Sequence, residues 1–241
     1  MPAFNAVHTL EQTVNEMPQS FYDEIIVVDD GSRDGTSEKA IALGLTVVKH
    51  EQNRGYGGAQ KSGYKAAIEK GADAVVMVHA DNQYDPTIAD QFARKITEEN
   101  YHLVTGTRMI LGDALSGGMP MWKFIPNRFL TWLENTVFET NISDFHNGYR
   151  AYSTAFLKQV PLDALSEKFD FDTDIILQGA IRKLKIGEIP HETRFEDENS
   201  QMSFSKGIIY GLSILRTVSV YLLHRIGLKQ IKFAATVNAS K

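Results

Sequence analysis

Two short apolar runs in this sequence are each followed at once by side chains that can bind ligands. The first run ends in Asp29 and Asp30, and the second leads into Asp81 and Gln83. Buried parallel strands present ligand-binding groups at their carboxyl ends, so two such strands predict one shared site. A carboxylate accepts hydrogen bonds from a base or a ribose, and carboxylate and amide oxygens suit Mg²⁺. The pattern therefore predicts a nucleotide site that uses a divalent metal.

His79 lies two residues before Asp81 and is a third candidate metal ligand. His79, Asp81 and Gln83 alternate along the chain, so they share one face if the strand continues through them. The three side chains together suit Mg²⁺ or Mn²⁺, and a neutral imidazole suits Mn²⁺ better. The alternative is that His79 packs behind the site.

A glycine-rich start of a helix, at residues 53–61, is a candidate phosphate-binding loop. Its backbone N–H groups and the helix dipole can face a diphosphate at Gly55, and Arg54 or Lys61 can add positive charge. The loop lacks the P-loop pattern, and a tight turn without a ligand is the alternative.

A second polar segment, at residues 144–150, combines a carboxylate, a histidine and an arginine before a predicted strand. Asp144 can orient or deprotonate an acceptor, and Arg108 and Arg150 can hold phosphate oxygens. Arg150 can instead form an ion pair with Asp144, and the sequence leaves both roles open.

Apolar runs alternate with amphipathic stretches in the first half of the chain, which predicts a doubly wound α/β fold. Strands are predicted near residues 25–30, 45–49, 74–79 and 102–106, and helices near 6–16, 36–43, 57–70 and 87–99. A loop rich in glycine, typical of a lid, follows at 111–120. The second half is predicted to hold a helix near 121–138, a helix near 172–184 and a strand near 186–194.

The composition is that of an ordinary globular protein of 241 residues, with 43% hydrophobic and 23% charged residues. The sequence contains no cysteine, which excludes disulfides, thiolate metal sites and a cysteine nucleophile and fits the reducing cytoplasm. With a formal net charge of −5, we expect no nucleic-acid partner.

The carboxyl-terminal segment differs in charge from the rest of the chain, which divides it into an α/β domain at 1–204 and a basic amphipathic tail at 205–241. No acidic residue follows Glu198, whereas six basic residues do: Lys206, Arg216, Arg225, Lys229, Lys232 and Lys241. An arginine near the middle of the apolar stretch 207–228 disfavours a spanning helix by about 2.5–3.5 kcal/mol. The pattern favours a helix at 205–232 that lies on the inner, anionic face of a membrane. Packing on the core, or on a second copy in a homodimer, is the alternative.

Taken together, these motifs resemble those of the family-2 glycosyltransferases of the GT-A fold, and among them the dolichyl- and polyprenyl-phosphate sugar synthases. The matching pieces, in order along nearly the whole chain, are residues 2–5, 27–32, 34–36, 53–55 with Gly63, Asp81 with Gln83, 106–108, 148–150 and 187–190. The resemblance implies a Rossmann-like, mostly parallel sheet flanked by helices. It also implies a nucleotide-sugar donor, a UDP- or GDP-sugar.

The resemblance assigns roles to residues on the nucleotide side of the site. It implies that Pro2, Ala3 and Phe4 line the base pocket and that Asp29 and Asp30 contact base and ribose. The glycine-rich pattern at residues 53–61 predicts a phosphate-binding role, and this role is retained for Arg54, Gly55 and Lys61.

On the reaction side, the resemblance implies that Asp81 and Gln83 hold Mg²⁺ or Mn²⁺ against the diphosphate. Arg108 would lie near the donor or acceptor phosphate, and Asp144 would position or activate the acceptor. Such enzymes invert the anomeric centre by direct displacement, and the metal neutralises the leaving nucleoside diphosphate. An acceptor that is already a phosphate monoester would not need Asp144 as a base.

Three features depart from the family pattern. The family usually has acids at the positions of Ala6 and His79, and a second arginine where this chain offers Lys123 and Arg128. Its first strand also precedes the position of Pro2, which predicts a strand on the amino side of this residue. The two lost acids leave open the alternative of a catalytically silent protein that binds nucleotide sugars.

Overall fold

The computed structural model of this chain describes residues 1–110, 113–116, 118–192 and 204–228. Its strands are β1 (Pro2–Ala3), β2 (Ile26–Asp29), β3 (Thr46–Lys49), β4 (Ala74–Met77), β5 (Leu103–Thr107), β6 (Arg150–Ser153) and β7 (Ile186–Pro190). Its helices are α1 (Leu10–Glu16), α2 (Thr36–Ala42), α3 (Tyr56–Glu69), α4 (Ala89–Thr97), α5 (Asp113–Ser116), α6 (Met121–Phe138), α7 (Thr154–Leu157), α8 (Phe171–Ile181) and α9 (Phe204–Arg225).

The predicted elements are present, with differences at their ends. The predicted helix at 121–138 is α6 residue for residue, whereas the helix predicted from residue 6 begins at Leu10. The strand predicted at 74–79 ends at Met77, and the one predicted at 186–194 ends at Pro190. The predicted lid at 111–120 contains the short helix α5, while residues 111, 112 and 117 lie outside the described part of the chain.

Two sheets bring the predicted site residues to one side of the molecule. In the first, β1, β2 and β3 are parallel; in the second, the order is β4-β6-β5-β7, and β6 is antiparallel to both of its neighbours. The mixed second sheet places Arg150, the first residue of β6, opposite Met77 at the end of β4 and opposite Thr105 of β5. The segment just before β6 therefore meets the carboxyl ends of both strands.

Helices α6, α8 and α9 pack together beside this segment. Leu130 of α6, Ile176 of α8 and Ile214 of α9 belong to one apolar core. Val218 is also buried, whereas most other large apolar side chains of α9 are exposed. The predicted tail helix thus uses a narrow stripe to pack on the domain. Within the described residues, α9 alone has the length and apolar composition of a membrane-crossing helix.

A cavity of about 520 Å³ separates the two sheets. It lies between β1 and β2 on one side and β4, an edge strand of its own sheet, on the other. Its walls include Ile26, Val28, Val75 and Met77, together with residues of α3 and α4. A strand that continued β1 toward its amino side would pass Ile26 and then residues 23–25, which also line this cavity. The predicted strand before Pro2 stays a prediction.

We expect an apolar extension such as Val-Thr-Val-Ile, joined before Met1, to raise the melting temperature by about 5 °C. Its four residues would lie beside residues 23–26, and its apolar side chains would fill the cavity. Burying one such side chain contributes about 1.5–3 kcal/mol, and about 1 kcal/mol corresponds to 2–4 °C for a domain of this size. Differential scanning calorimetry of this variant and of a Gly-Ser-Gly-Ser extension provides the comparison. Equal melting temperatures for the two extensions would contradict the prediction.

Candidate functional site

The nucleoside end of the predicted site lies where β1 and β2 end side by side. Pro2 pairs with Val28 and Ala3 with Asp29 in the parallel register. Ala3 is buried, whereas Phe4, the next residue, has 55% of its surface exposed. The structure thus places the predicted base-pocket residues 2–4 beside Asp29, and the Phe4 ring is accessible for stacking on a base.

Asp29 is buried, and its carboxylate accepts hydrogen bonds from its own chain. The Ser32 N–H donates to it at 2.8 Å, and the Ser37 hydroxyl donates to its other oxygen. Burial raises the pKa of Asp29, but these hydrogen bonds outweigh that effect and hold the pKa below its usual value. Asp29 is therefore an ionised acceptor beside the exposed Phe4.

Asp30 is also buried and fixes the glycine-rich loop. It accepts hydrogen bonds from the backbone N–H groups of Arg54 at 2.8 Å and Gly55 at 2.9 Å. The His50 ring contacts it at 2.6 Å. The acid-tipped strand and the loop before α3, which the sequence treats as separate features, are therefore one structural unit.

Arg54 and Lys61 both contact the segment before α8. Arg54 remains exposed, and its phosphate role stays a prediction, whereas burial changes the predicted role of Lys61. The Arg54 guanidinium pairs with Glu167 at 2.8 Å. Lys61 is 3% exposed, and its ammonium donates to the Leu165 carbonyl at 3.0 Å and lies 3.6 Å from Glu167. A phosphate contact by Lys61 is not supported, because a buried lysine that is already paired has no path to a ligand. Gly55 has a φ of 86°, and a Cβ there would lie 2.8 Å from the Glu167 carbonyl oxygen.

The three predicted metal ligands do not share one face of a strand. β4 ends at Met77, and Asn82 has a φ of 58°, so the chain turns where the prediction assumed an extended segment. His79 and Gln83 line a cleft, whereas Asp81 is exposed and accepts a hydrogen bond from the Gln83 N–H at 3.1 Å. The strand prediction was wrong here because a left-handed residue ends the alternation.

The donor set at this turn fits a metal that is completed by substrate. Across the described residues, no three His, Cys, Asp or Glu side chains are grouped to hold an ion. Mg²⁺ and Mn²⁺ commonly bind one or two protein oxygens and take the others from phosphates and water. One exposed carboxylate, on Asp81, and one carboxamide, on Gln83, meet that need. His79 packs between Tyr56 and Tyr84, with ring centroids 5.7 and 4.9 Å apart. Packing of this kind was the alternative to metal binding that the sequence left open for His79.

Arg108 and Asp144 form a buried, bidentate ion pair. The Arg108 Nε donates to Asp144 at 2.8 Å and one terminal nitrogen donates at 3.1 Å to the other carboxylate oxygen. The Asn127 amide also donates to Asp144 at 3.1 Å. Burial raises the pKa of Asp144, but the charge and hydrogen bonds of Arg108 lower it far below the ordinary range. A carboxylate held this way is a weak base, so its geometry suits orienting Arg108 rather than removing a proton.

Arg150 has neither of the roles that the sequence left open. Its side chain is fully buried and donates to the backbone carbonyls of Phe145 at 2.9 Å, Asn147 at 2.9 Å and Asp172 at 2.7 Å. It does not pair with Asp144, and its buried side chain does not reach a site that a ligand could enter. Arg150 instead holds the polar segment 144–150 against the start of α8.

One cleft of about 610 Å³ connects these groups with the surface between α6 and α9. Its polar end is lined by His79, Gln83, Arg108, His146 and Asp172. Its other end is lined by apolar side chains, including Trp122, Phe129 and Leu130 of α6 and Ile208, Leu212 and Leu215 of α9. Lys123 and Lys206 also line it. The cleft thus joins a polar, partly cationic pocket to a long apolar wall.

Comparison with known proteins identifies the family. Residues 1–160 match the sequence family described as Glycosyl transferase family 2. The chain belongs to glycosyltransferase family 2. It is an enzyme that transfers a sugar from a nucleotide sugar, and its architecture is the GT-A fold that the motifs predicted.

Several relatives of this glycosyltransferase are similar over most of their length. An uncharacterized protein of Methanocaldococcus jannaschii is 32% identical over 218 residues, which cover 89% of this chain and 87% of that protein. The UDP-N-acetylglucosamine–dolichyl-phosphate N-acetylglucosaminyltransferase of Methanococcus voltae is 28% identical, with 89% and 91% covered. The undecaprenyl-phosphate mannosyltransferase of Micrococcus luteus is 27% identical, with 87% of each covered.

Solved structures show the same fold at lower identity. Glucosyl-3-phosphoglycerate synthase from Mycobacterium tuberculosis, crystallised with UDP, has a TM-score of 0.68 and 20% identity. The match covers 95% of this chain and 79% of that one. The same enzyme has been crystallised with Mn²⁺, UDP-glucose and phosphoglyceric acid.

Several residues that line the glycosyltransferase cleft escaped the sequence interpretation. Tyr56 donates to Asp172 at 3.0 Å, and the Tyr84 hydroxyl accepts from the Gly148 N–H at 3.0 Å. A Cβ on Gly148 would lie 2.7 Å from His79 Nε2, so this glycine allows the histidine to pack. These contacts join distant parts of the chain and leave no local signal.

One available signal was the polar stripe on α6. Asn127, Thr131 and Glu134 recur at helical spacing in α6, and all three are buried. Such a stripe predicts that the helix faces a polar site, which here includes Asp144.

Proposed function

We propose that the acceptor is a polyprenyl phosphate and that this glycosyltransferase makes a polyprenyl-phosphate sugar at a membrane surface. One observation carries the proposal: a single cleft joins the Arg108 guanidinium to an apolar wall formed by α6 and α9. A polyprenyl phosphate has an anionic head that would bind the guanidinium and a hydrocarbon tail that would bind the apolar wall. The relatives from Methanococcus voltae and Micrococcus luteus are named for dolichyl- and undecaprenyl-phosphate acceptors, which supports the proposal.

The polar end of the cleft suits an anionic acceptor. Arg108 is oriented by Asp144. Burial, together with the nearby charge of Arg108, lowers the pKa of Lys123 in the first turn of α6. A phosphate acceptor is already a nucleophile, so it needs cations to bind it but no base to activate it. Within the described residues, the polar end of the cleft offers two cations and no suitable base. Lys123 takes the place at which a second arginine was expected, and Arg128 does not line the cleft.

The apolar end of the cleft suits a hydrocarbon chain. Gly207 and Gly211 of α9 line it opposite α6, and a Cβ on them would meet Trp122 at 3.6 Å and Leu130 at 3.8 Å. Glycine at both positions lets α9 approach the side chains of α6 closely. The first isoprene units would lie along the apolar side chains of α6 and α9 that line the cleft.

We propose that Asp81 and Gln83 hold Mg²⁺ or Mn²⁺ against the donor diphosphate, as the sequence predicts. When bound, such a metal stabilises the negative charge that develops on the leaving nucleoside diphosphate. Arg108 and Lys123 would hold the acceptor phosphate so that one of its oxygens faces C1 of the sugar. The new bond joins this oxygen to C1 while the bond from C1 to the diphosphate breaks, which inverts the configuration.

The outer faces of α6 and α9 support attachment to a membrane, at the cytoplasmic face in this proposal. Exposed apolar side chains on these helices include Met121, Trp122, Ile125, Phe129, Trp132, Phe204, Ile208, Ile209 and Leu212. Basic side chains on the same helices are Lys123, Arg128, Lys206, Arg216 and Arg225. Apolar and aromatic groups next to cations match an anionic lipid surface. The predicted tail residues 229–241 lie outside the described part of the chain.

We expect the protein to float with phosphatidylglycerol-rich liposomes in a density gradient and to float poorly with phosphatidylcholine liposomes. Replacing Trp132, which is 61% exposed on α6 and does not line the cleft, with Ser should lower the partition coefficient about tenfold. Ile41→Ser, an exposed apolar residue on α2, is the matched control. If the protein instead sediments as a dimer and binds neither kind of liposome, the exposed faces of α6 and α9 form a subunit interface.

The proposed reaction is tested by product analysis with the full chain. The enzyme is incubated with UDP- and GDP-sugars, Mn²⁺ or Mg²⁺, and either undecaprenyl phosphate or undecaprenol in detergent. We expect a glycolipid that forms only with the phosphate. Binding of a nucleotide sugar with neither transfer nor nucleotide release would instead support the silent binding protein. Transfer to a soluble phosphate but not to the lipid would refute the lipid acceptor.

A further inference from the structure

The His146 ring is held by the two helices that form the apolar wall of the cleft. One ring nitrogen lies 3.0 Å from the Tyr210 hydroxyl of α9, and the other lies 3.2 Å from a carboxylate oxygen of Glu134 on α6. Glu134 is fully buried, and its second oxygen accepts a hydrogen bond from Thr173 at 3.0 Å. Neither the Glu134 oxygen that faces the ring nor His146 Nε2 has a hydrogen-bond partner among the described residues, so the contact is a close approach of two polar groups and not a hydrogen bond.

The backbone of the same residue contacts both members of the Arg108–Asp144 pair. The His146 N–H donates to Asp144 at 3.2 Å, and its carbonyl accepts from an Arg108 terminal nitrogen at 3.1 Å. Three contacts therefore orient the Arg108 guanidinium, two from Asp144 and one from His146. A shift of this peptide would turn the guanidinium away from the cleft.

We propose that His146 is a positioning residue for the acceptor phosphate, and that Tyr210 is the contact through which the docking of α9 orders this part of the site. This inference rests on the proposed polyprenyl-phosphate acceptor. Tyr210 fixes the ring, the ring fixes the peptide, and the peptide fixes Arg108. The helix that contributes the apolar wall also completes the phosphate-binding end. A protein with α9 displaced would retain its nucleotide-binding residues on β1 and β2 and lose affinity for the acceptor.

The inference predicts a change confined to the acceptor. Among the described residues, the hydrogen bonds and ion pairs of Tyr210, His146 and Arg108 do not involve Asp29, Asp30 or Asp81. Small displacements at a reacting group have large effects, up to about 100-fold per ångström. We therefore expect the acceptor KM to rise, with little change in the KM for the nucleotide sugar.

The test is steady-state kinetics of Tyr210→Phe, which removes one hydroxyl and keeps the ring. We expect a rise of about fivefold to tenfold in the KM for undecaprenyl phosphate, and a change below twofold in the KM for the nucleotide sugar. Thr217→Val is the matched control, because it removes a hydroxyl from the same helix that contacts Asp174 at 3.5 Å, away from His146. It should leave both KM values unchanged.

A second pair of variants separates positioning from folding. His146→Ala should raise the acceptor KM more than Tyr210→Phe does, and His146→Gln, which retains polar groups, should recover part of the loss. If the wild-type enzyme transfers to undecaprenyl phosphate but Tyr210→Phe has an unchanged acceptor KM, the inference is overturned. It is also overturned if both KM values rise together. Failure of the wild-type enzyme to use the lipid phosphate would refute the proposed function instead, and is recognised before any variant is measured.

Discussion

Replacing Arg108 with glutamine is expected to lower kcat/KM for a polyprenyl phosphate by at least about 100-fold. The substitution removes the charge that faces the acceptor at the polar end of the cleft, and charge-assisted hydrogen bonds contribute about 1.5–3 kcal/mol each. Two such contacts with a phosphate correspond to about 100-fold or more. Donor binding, measured by titration with the nucleotide sugar, should remain within about twofold of the wild-type value.

The same substitution also destabilises the fold, and a double variant separates the two effects. Arg108→Gln leaves the buried Asp144 carboxylate without its cation, which costs about 3–5 kcal/mol. Arg108→Gln combined with Asp144→Asn removes both charges and should recover much of the melting temperature but not the activity. Arg128→Gln, on α6 outside the cleft, is the control for loss of positive charge. Recovery of activity in the double variant would show that Arg108 serves the fold alone.

Replacing Asp81 with alanine is expected to lower kcat about 1000-fold at saturating donor. Asp81 is the one carboxylate at the turn after β4, and without it the proposed metal would keep a single protein ligand from this turn. The loss of charge stabilisation on a leaving diphosphate corresponds to several kcal/mol. Stability should change little, because Asp81 is exposed.

Metal dependence provides the specific readout for Asp81. We expect the variant to need at least tenfold more Mn²⁺ for half-maximal activity, or to show no response to the metal. Asp73→Ala removes an exposed carboxylate just before the other end of the same strand and should leave the metal response unchanged. An Asp81→Ala enzyme with normal kcat and normal Mn²⁺ dependence would refute the proposed metal site.

The elements of the fold were predictable because their signals are local. The apolar run before Asp29 and the turn chemistry around Gly35 both act within a few residues, and so the ends of β2 and the start of α2 were located closely. The predicted alternation of His79, Asp81 and Gln83 was wrong because β4 ends at Met77 and because Asn82 adopts a left-handed backbone conformation that its residue type permits but does not require.

The roles of the charged residues depended on contacts that the sequence does not reveal. Arg108 and Arg150 both lie next to strands and near glycines, but Arg150 begins β6, which lies between β4 and β5. A central strand is covered on both faces, so its arginine is fully buried, whereas Arg108 follows β5 and reaches the cleft. Lys61 was misjudged for a similar reason, because the segment 165–167 that covers it is distant in sequence.

The shared wall of α6 and α9 has a consequence for how the rate depends on substrate. Side chains of these helices such as Trp122, Ile208 and Leu212 line the cleft and are also exposed, so a lipid acceptor would move from the bilayer into the site without crossing water. The rate then depends on the number of acceptor molecules per unit area of membrane and not on their concentration in the bulk solution. Diluting undecaprenyl phosphate with inert lipid should slow the reaction, whereas diluting the vesicles at constant composition should not, as long as the enzyme stays bound.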